Sequence, residues 1–199
     1  MVQAPTIQDI EPARLAFEAN EPRDLFYRAA TELVALALGG KTSLSVAEAL
    51  AVLLQTWNKM FYQYRRFDSR HFADIERLIR DHHSILITFR QRSIQSLNRE
   101  DESKVVRVFK AFEEVLGPVG AAKCLHLLAP CFFPLWDRAI AAAYGLPLRQ
   151  KARNAERYRR FMEILKEQVQ SFDGEQVIGR NPLKAIDEYN YRRHTKGSI

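Results

Sequence analysis

Apolar residues recur along this chain at three- and four-residue spacing, the period of helices, and no stretch sustains the strict alternation of a half-buried strand. The first stripe runs through Leu25, Phe26, Ala29, Leu33, Leu36 and Ala37. It predicts a helix opening at Pro22, where a missing N–H costs nothing, and stopping at Gly39-Gly40. Ser45 and Glu48 have the spacing of a capping box. The stripe behind them, Val46, Ala49, Leu50, Leu53, Trp57, Met60, Phe61 and Tyr64, predicts one central core helix of about five turns. Its aromatic end suits either a core or a base-stacking platform.

The same reading predicts helices over 69–81 and 84–94, with His82 and His83 as surface or capping residues at their junction. A polar break over 98–103 precedes a helix through Val105, Val106, Phe109, Phe112, Val115 and Leu116. A tight turn follows at 117–120, then short helices over 121–129 and 137–144 and a long basic helix over 149–172. Asp173-Gly174 breaks that helix, and Asn181-Pro182 opens a last element ending in a polar tail. The fold class predicted is all-α. Residues 1–21, polar with Pro5 and Pro12, are expected to form an N-terminal arm, and 22–199 one helical domain.

Composition narrows the setting. An apolar share of 47% in 199 residues argues against wholesale disorder. Two cysteines, Cys124 and Cys131, fit a reducing compartment better than a disulfide framework. The first twenty residues lack the basic-then-apolar pattern of a leader, and runs such as 33–38 are far too short to span a bilayer. A cytoplasmic protein with no membrane partner is therefore expected. The net charge of +6 is uneven: from Arg149 onward there are twelve Lys or Arg against seven Asp or Glu. Such a local excess attracts polyanions, phosphates above all, although a solvated helix face has the same composition.

The stretch that carries chemistry is 115–146, VLGPVGAAKCLHLLAPCFFPLWDRAIAAAYGL. Gly117 and Gly120 permit a sharp turn and close approach of a ligand. The amides of Val119, Gly120 and Ala121 would then lie at a helix N-terminus, where unpaired donors and the helix dipole suit a phosphate. The bland reading is a helix–helix corner with a glycine C-cap. Lys123 and His126, three residues apart, share a helix face. Lys123 reads as a nucleophile, a phosphate contact or a snorkelling surface residue, and His126 as a satisfied, half-buried histidine. Asp137 stands where a helix N-cap belongs; a carboxylate there can stabilise a developing cation or simply cap.

These residues together resemble the helix-hairpin-helix DNA glycosylase/lyase superfamily of base-excision repair. Gly117-Pro118-Val119-Gly120 stands where that family has its hairpin, and Pro134-Leu135-Trp136-Asp137 where it has the Pro-x-Asp segment with the catalytic aspartate. Ala139-Ile140-Ala141-Ala142-Ala143-Tyr144-Gly145-Leu146 resembles the helix that follows, and Leu53-Leu54-Gln55-Thr56 the early helix ending in a Ser-Gln-Gln-like run. The resemblance implies a compact domain with a helix-hairpin-helix-like segment over 103–129 and two helical lobes around a cleft. It implies duplex DNA as partner, with RNA as the alternative, and a hairpin (Gly117, Val119, Gly120, Ala121) gripping a phosphate. A base would flip into a pocket between the lobes, for which Trp57, His126 and Trp136 are the candidate lining. Asp137 would stabilise charge on the sugar as the glycosidic bond breaks. In bifunctional members a lysine just past the hairpin attacks the sugar; Lys123 is the candidate, one position further from the hairpin than the family's lysine.

Arg138 and the basic helix's Arg153, Arg157 and Arg160, interleaved with Tyr158 and Phe161, are the candidate nucleic-acid contacts beyond the hairpin. No cofactor is expected. Cys124, His126 and Cys131 straddle a helix end with no evident fourth ligand, so no metal is expected either. The competing reading is a non-catalytic nucleic-acid-binding or interaction module of the same fold.

Overall fold

The computed structural model describes residues 5–20, 24–148, 153–171 and 181–197, and they form helices joined by short connections. In chain order these are α1 (Ile7–Asn20), α2 (Asp24–Leu38), α3 (Val46–Trp57), α4 (Lys59–Tyr64), α5 (Ser69–Asp81) and α6 (His83–Arg90). After a 3-10 turn (Ile94–Ser96) come α7 (Arg99–Leu128), α8 (Arg138–Ala143), α9 (Asn154–Ser171) and α10 (Pro182–Asn190). A π-helical turn, Tyr191–Lys196, continues α10. No strand occurs among the described residues. Pro22, Arg149, Phe172, Asp173 and Gly174, invoked above as boundaries or cations, lie outside them.

The centre of the molecule is α7. Its first half buries Val105, Val108, Phe109, Phe112 and Leu116, one helical stripe, and leaves its other face to solvent. Its second half is buried nearly all round, from Gly120 to Leu128 with only Lys123 half-exposed. Helices α2, α3, α4, α5 and α6 all touch α7, and α9 lies along it. The start is fixed by Asn98, whose side chain accepts from Glu100 N–H, while the Asp101 carboxylate accepts from Asn98 N–H. Asp101 also accepts a two-pronged pair of hydrogen bonds from Arg92, at 2.8 and 2.6 Å. The expected polar break at 98–103 is thus the first turn of α7: its polar residues cap the helix. At the other end Arg90 donates to the last carbonyls, Leu127 at 3.2 Å and Leu128 at 2.8 Å, and supplies a cation at the negative helix end.

Three further expectations change. The long helix expected from Val46 to Tyr64 is two, broken at Asn58 (φ −108°, ψ 28°). The expected N-terminal arm holds α1, which buries Ile10, Ala13 and Phe17 and rests on α10. The polar tail also folds back: α10 is N-capped by Asn181 and buries Leu183, Ile186, Tyr189 and Asn190. By contrast, the Ser45/Glu48 capping box and the helix over 69–81 stand as predicted.

At 117–120 only one residue leaves helical geometry. Gly117 (φ 70°, ψ 168°) turns α7 sharply, and from Pro118 the chain is helical again. That combination of angles is open to glycine alone. A Cβ at Gly117 would also lie 3.3 Å from the Phe61 ring, whereas at Gly145 (φ 73°) it would meet nothing. Gly117→Ala is expected to cost about 2–4 kcal/mol and Gly145→Ala about 1 kcal/mol, read as the difference in urea midpoint. Equal losses would show that the α7 bend relaxes freely.

Candidate functional site

The bend in α7 and the break between α3 and α4 meet. The Asn58 side chain lies over Gly120, where a Cβ would come within 2.7 Å of Nδ2, and its amide donates to Leu116 C=O at 3.4 Å. Phe61 covers Gly117. On the far side Trp136 Nε1 donates to Pro118 C=O at 3.1 Å. Trp136 itself is buried, edge-on to Phe109 and Tyr158. Of the backbone expected to grip a phosphate, Gly117 and Val119 are half-buried, Gly117 beneath Phe61. Gly120 and Ala121 are buried, Gly120 behind Asn58.

One turn further along, Lys123 projects toward the C-terminus of α3. Its Nζ donates to the Trp57 carbonyl and lies 5.7 Å from the Trp57 ring. That carbonyl is one of the terminal acceptors a helix leaves without an internal partner, so it suits a cation. Asp137 caps α8: one carboxylate oxygen accepts from Ile140 N–H at 2.8 Å, the other from the Thr195 hydroxyl at 2.7 Å. Lys123 and Asp137 line the same pocket, together with Phe17, Trp57, Leu135, Trp136, Ile140, Asp187 and Tyr191. Its volume is about 80 Å³. That is far below the roughly 300 Å³ at which small-molecule sites begin, so a nucleotide would require one wall to open.

Behind this pocket sits a buried ionic cluster. Lys184 Nζ lies 3.1 Å from Glu188, 3.5 Å from Asp24 and 3.8 Å from Asp187. The rings of Phe17 and Tyr27 are 4.4 and 4.7 Å from the same Nζ, so its charge is held by carboxylates and aromatic faces at once. Burial, with Glu188 and Asp137 adding repulsion, pushes the Asp187 carboxyl up to about 7 against the pull of Lys184 and Lys123. Burial likewise raises Glu188, against Lys184. A larger open groove of about 690 Å³ lies between α1, α2 and α10 on the other side of Lys184.

His126 does not enter the pocket lining. It is fully buried, where a half-buried position was expected. Nδ1 lies 2.7 Å from Phe133 C=O and Nε2 2.9 Å from the Tyr27 hydroxyl. The carbonyl can only accept, so Nδ1 carries the proton and Nε2 accepts from Tyr27. Trp57 stacks on Tyr27 at 5.6 Å, so His126 supports the pocket from behind. Arg138 is exposed beside Asp137. Arg153 and Arg160 are exposed on α9 or just before it, and Arg157 is half-buried, donating to Asn154 at 3.2 Å; none of the three lines the pocket. Cys124 is buried and Cys131 exposed, so those thiols and His126 do not converge. Among the described residues no group of three or more His, Cys, Asp or Glu is placed to hold a metal, and no helix is long and apolar enough to cross a membrane.

Phe17, Asp187 and Thr195 were not anticipated. For part of this set the signal was present: Lys184, Asp187 and Tyr191 recur at i, i+3 and i+7, one face of a helix. Compared with protein-family models, curated proteins and solved structures, the chain matches none.

His126 gives the site's support a pH signature. Burial depresses its pKa from 6.5 to about 4, against the Phe133 hydrogen bond. In the unfolded chain it binds a proton near 6.5, so between about 6.5 and 4 the unfolded state holds more protons and stability falls as pH falls. The full loss is about 3 kcal/mol. Urea unfolding of His126→Gln should show a flatter dependence on pH across that window than the parent; an unchanged slope would assign the acid sensitivity elsewhere.

Proposed function

We propose that the chain binds duplex DNA and cleaves the N-glycosidic bond of a base turned out of the helix, in the manner of the helix-hairpin-helix glycosylases it resembles. The observation that carries this reading is the convergence of Lys123 and Asp137 on one aromatic-walled pocket beside the Gly117 bend. Asp137 is oriented by the α8 amide of Ile140 and by Thr195, so its carboxylate is fixed in direction before a substrate arrives. On this reading the half-buried Gly117 and Val119 of the bend make the phosphate contact. The two lobes of this reading are the helices on either side of the bend, with the pocket as their cleft.

A surface suited to DNA adjoins the pocket. Helix α4 begins two residues after Trp57 and exposes Lys59, Met60 and Tyr64; Arg65, Arg66 and Arg70 follow, also exposed, with Asp68 as the sole acid from 58 to 70. Cations around exposed apolar and aromatic side chains serve phosphate contact and base contact together. Arg138 adds a cation on the Asp137 side, and the α9 arginines offer a second footprint. The non-catalytic module remains the competing reading for one specific reason: the Lys123 ammonium is already engaged by the Trp57 carbonyl. A glycosylase without a lyase step reconciles that contact with the Asp137 geometry.

The test is a panel of end-labelled duplexes, each with one lesion or an abasic site, with and without borohydride. Asn caps a helix as well as Asp, so Asp137→Asn removes the charge and keeps α8. Base release that drops about 100-fold or more in this variant establishes the enzyme, and a borohydride adduct that disappears in Lys123→Gln adds the lyase step. Binding without release leaves the module, and no binding removes DNA from the account. Arg65→Glu with Arg66→Glu should weaken binding and lower the salt slope by about one for each phosphate no longer neutralised. The same weakening from Arg153→Glu with Arg160→Glu instead would move the footprint to α9.

A further inference from the structure

We propose that Asp187 is a third functional group of this pocket, the carboxyl that holds a proton for the leaving base and faces the sugar together with Asp137. The inference rests on the glycosidic reading and adds to it a residue outside the resembling segment.

Its first support is placement. Asp187 lies on α10, whose other face packs through Leu183, Ile186 and Tyr189 into the core, so the helix is fixed and this side chain is turned into the pocket beside Lys123, Asp137, Trp57 and Tyr191. Its side chain is 14% exposed. Yet no hydrogen-bond donor among the described residues engages the carboxyl; its one direct ionic neighbour is Lys184, at 3.8 Å. Asp137, by comparison, has both oxygens bonded. Among the described residues nothing else takes up its hydrogen-bonding capacity, which is directed toward the cavity.

The second support is a count of charge. Three carboxyls, Asp24 from α2 with Asp187 and Glu188 from α10, surround one ammonium, Lys184. Lys123 from α7 is a second cation near Asp187, Asp137 ahead of α8 is a further carboxylate, and Glu18 of α1 lies near Glu188. With every acid ionised the buried cluster would carry excess negative charge, which a low-dielectric site resists by keeping a proton. Within the cluster Asp187 is pushed up to about 7, close to neutrality, and it is the carboxyl that opens on the pocket.

The step balances with water as the co-reactant. The C1′–N bond breaks and its electron pair stays on the base nitrogen, which takes the Asp187 proton. The positive charge left on the sugar faces Asp137 and the new Asp187 carboxylate. Water adds at C1′ and gives a proton to Asp187, restoring the acid.

The test uses the full chain and two duplexes that differ at one position: a pyrrolidine abasic analogue, which carries a positive charge, and its neutral tetrahydrofuran counterpart. The ratio of their affinities cancels the pH dependence of backbone contacts. In the parent the preference for the cationic analogue should rise about tenfold from pH 6 to pH 8 as Asp187 ionises. Asp187→Asn, which copies the neutral acid in shape, should show a flat, low ratio. Asp137→Asn should lower the ratio at every pH without removing the rise. A flat ratio in the parent, or a rise that survives in Asp187→Asn, overturns the role of Asp187 and leaves DNA binding standing. Failure to bind either duplex overturns both readings. Independently of any DNA, the carboxyl carbon resonance that vanishes in Asp187→Asn should titrate near 7 in the parent; titration in the ordinary carboxylate range overturns the proposal.

Discussion

The arrangement depends on one backbone constraint, the conformation of Gly117. Without it α7 would run straight through 30 residues, and its second half could not turn back into the middle of the other helices. The bend is held from both sides: Phe61 and Asn58 press on it from the α3–α4 break, and Trp136 anchors Pro118 from the approach to α8. Two of these neighbours also set part of the pocket. Asn58 ends α3 and so leaves the Trp57 carbonyl available to Lys123, while Trp136 is followed directly by Asp137. Bend and pocket are in this sense one structure, since loosening the first displaces walls of the second.

Helix ends in this chain are legible where a side chain caps them locally. Ser45 with Glu48, Asp137 and Asn181 all cap at the positions their sequence context indicates. The failures have a common cause. Asn98 to Ser103 has the polar composition of a break, yet Asp101 is buried against Arg92, nine residues earlier. The stripe from Val46 to Tyr64 kept helical period across Asn58, and nothing local announces that Asn58 will be pulled onto Gly120, far along the chain. Periodicity reports which face is apolar. It does not report a helix axis that changes direction while keeping that face inward.

The pocket was legible in proportion to sequence proximity. Lys123, Trp136 and Asp137 fall within one short segment, and Trp57 belongs to the longest apolar stripe in the chain. Phe17, Asp187, Tyr191 and Thr195 come from the two ends, which composition marked as an arm and a basic tail. The tail's charge was misleading in a physical way. Lys184 belongs to the basic excess but is buried among carboxyls and aromatic rings, so it contributes to the fold rather than to an outward field. Arg159, similarly, is paired with Glu102 and Glu163. A net charge drawn from sequence counts such internal pairs as though they faced solvent.

The same internal pairing explains why a carboxyl from the C-terminal helix matters to a site whose other groups lie near α7 and α8. The glycosidic cleavage proposed above asks two opposed things of acids in one cavity: a charge to face the developing cation, and a proton for the departing nitrogen. Two carboxyls can divide these tasks when their surroundings differ. Here their surroundings differ. Asp137 accepts from a helix amide and a hydroxyl, whereas Asp187 has no donor among the described residues and shares its one near cation with Asp24 and Glu188. The folding back of the tail is what creates the difference, because Thr195 and Asp187 arrive on the same continuous stretch of helix. The terminal segment thus supplies both the hydroxyl that steadies one acid and the second acid itself.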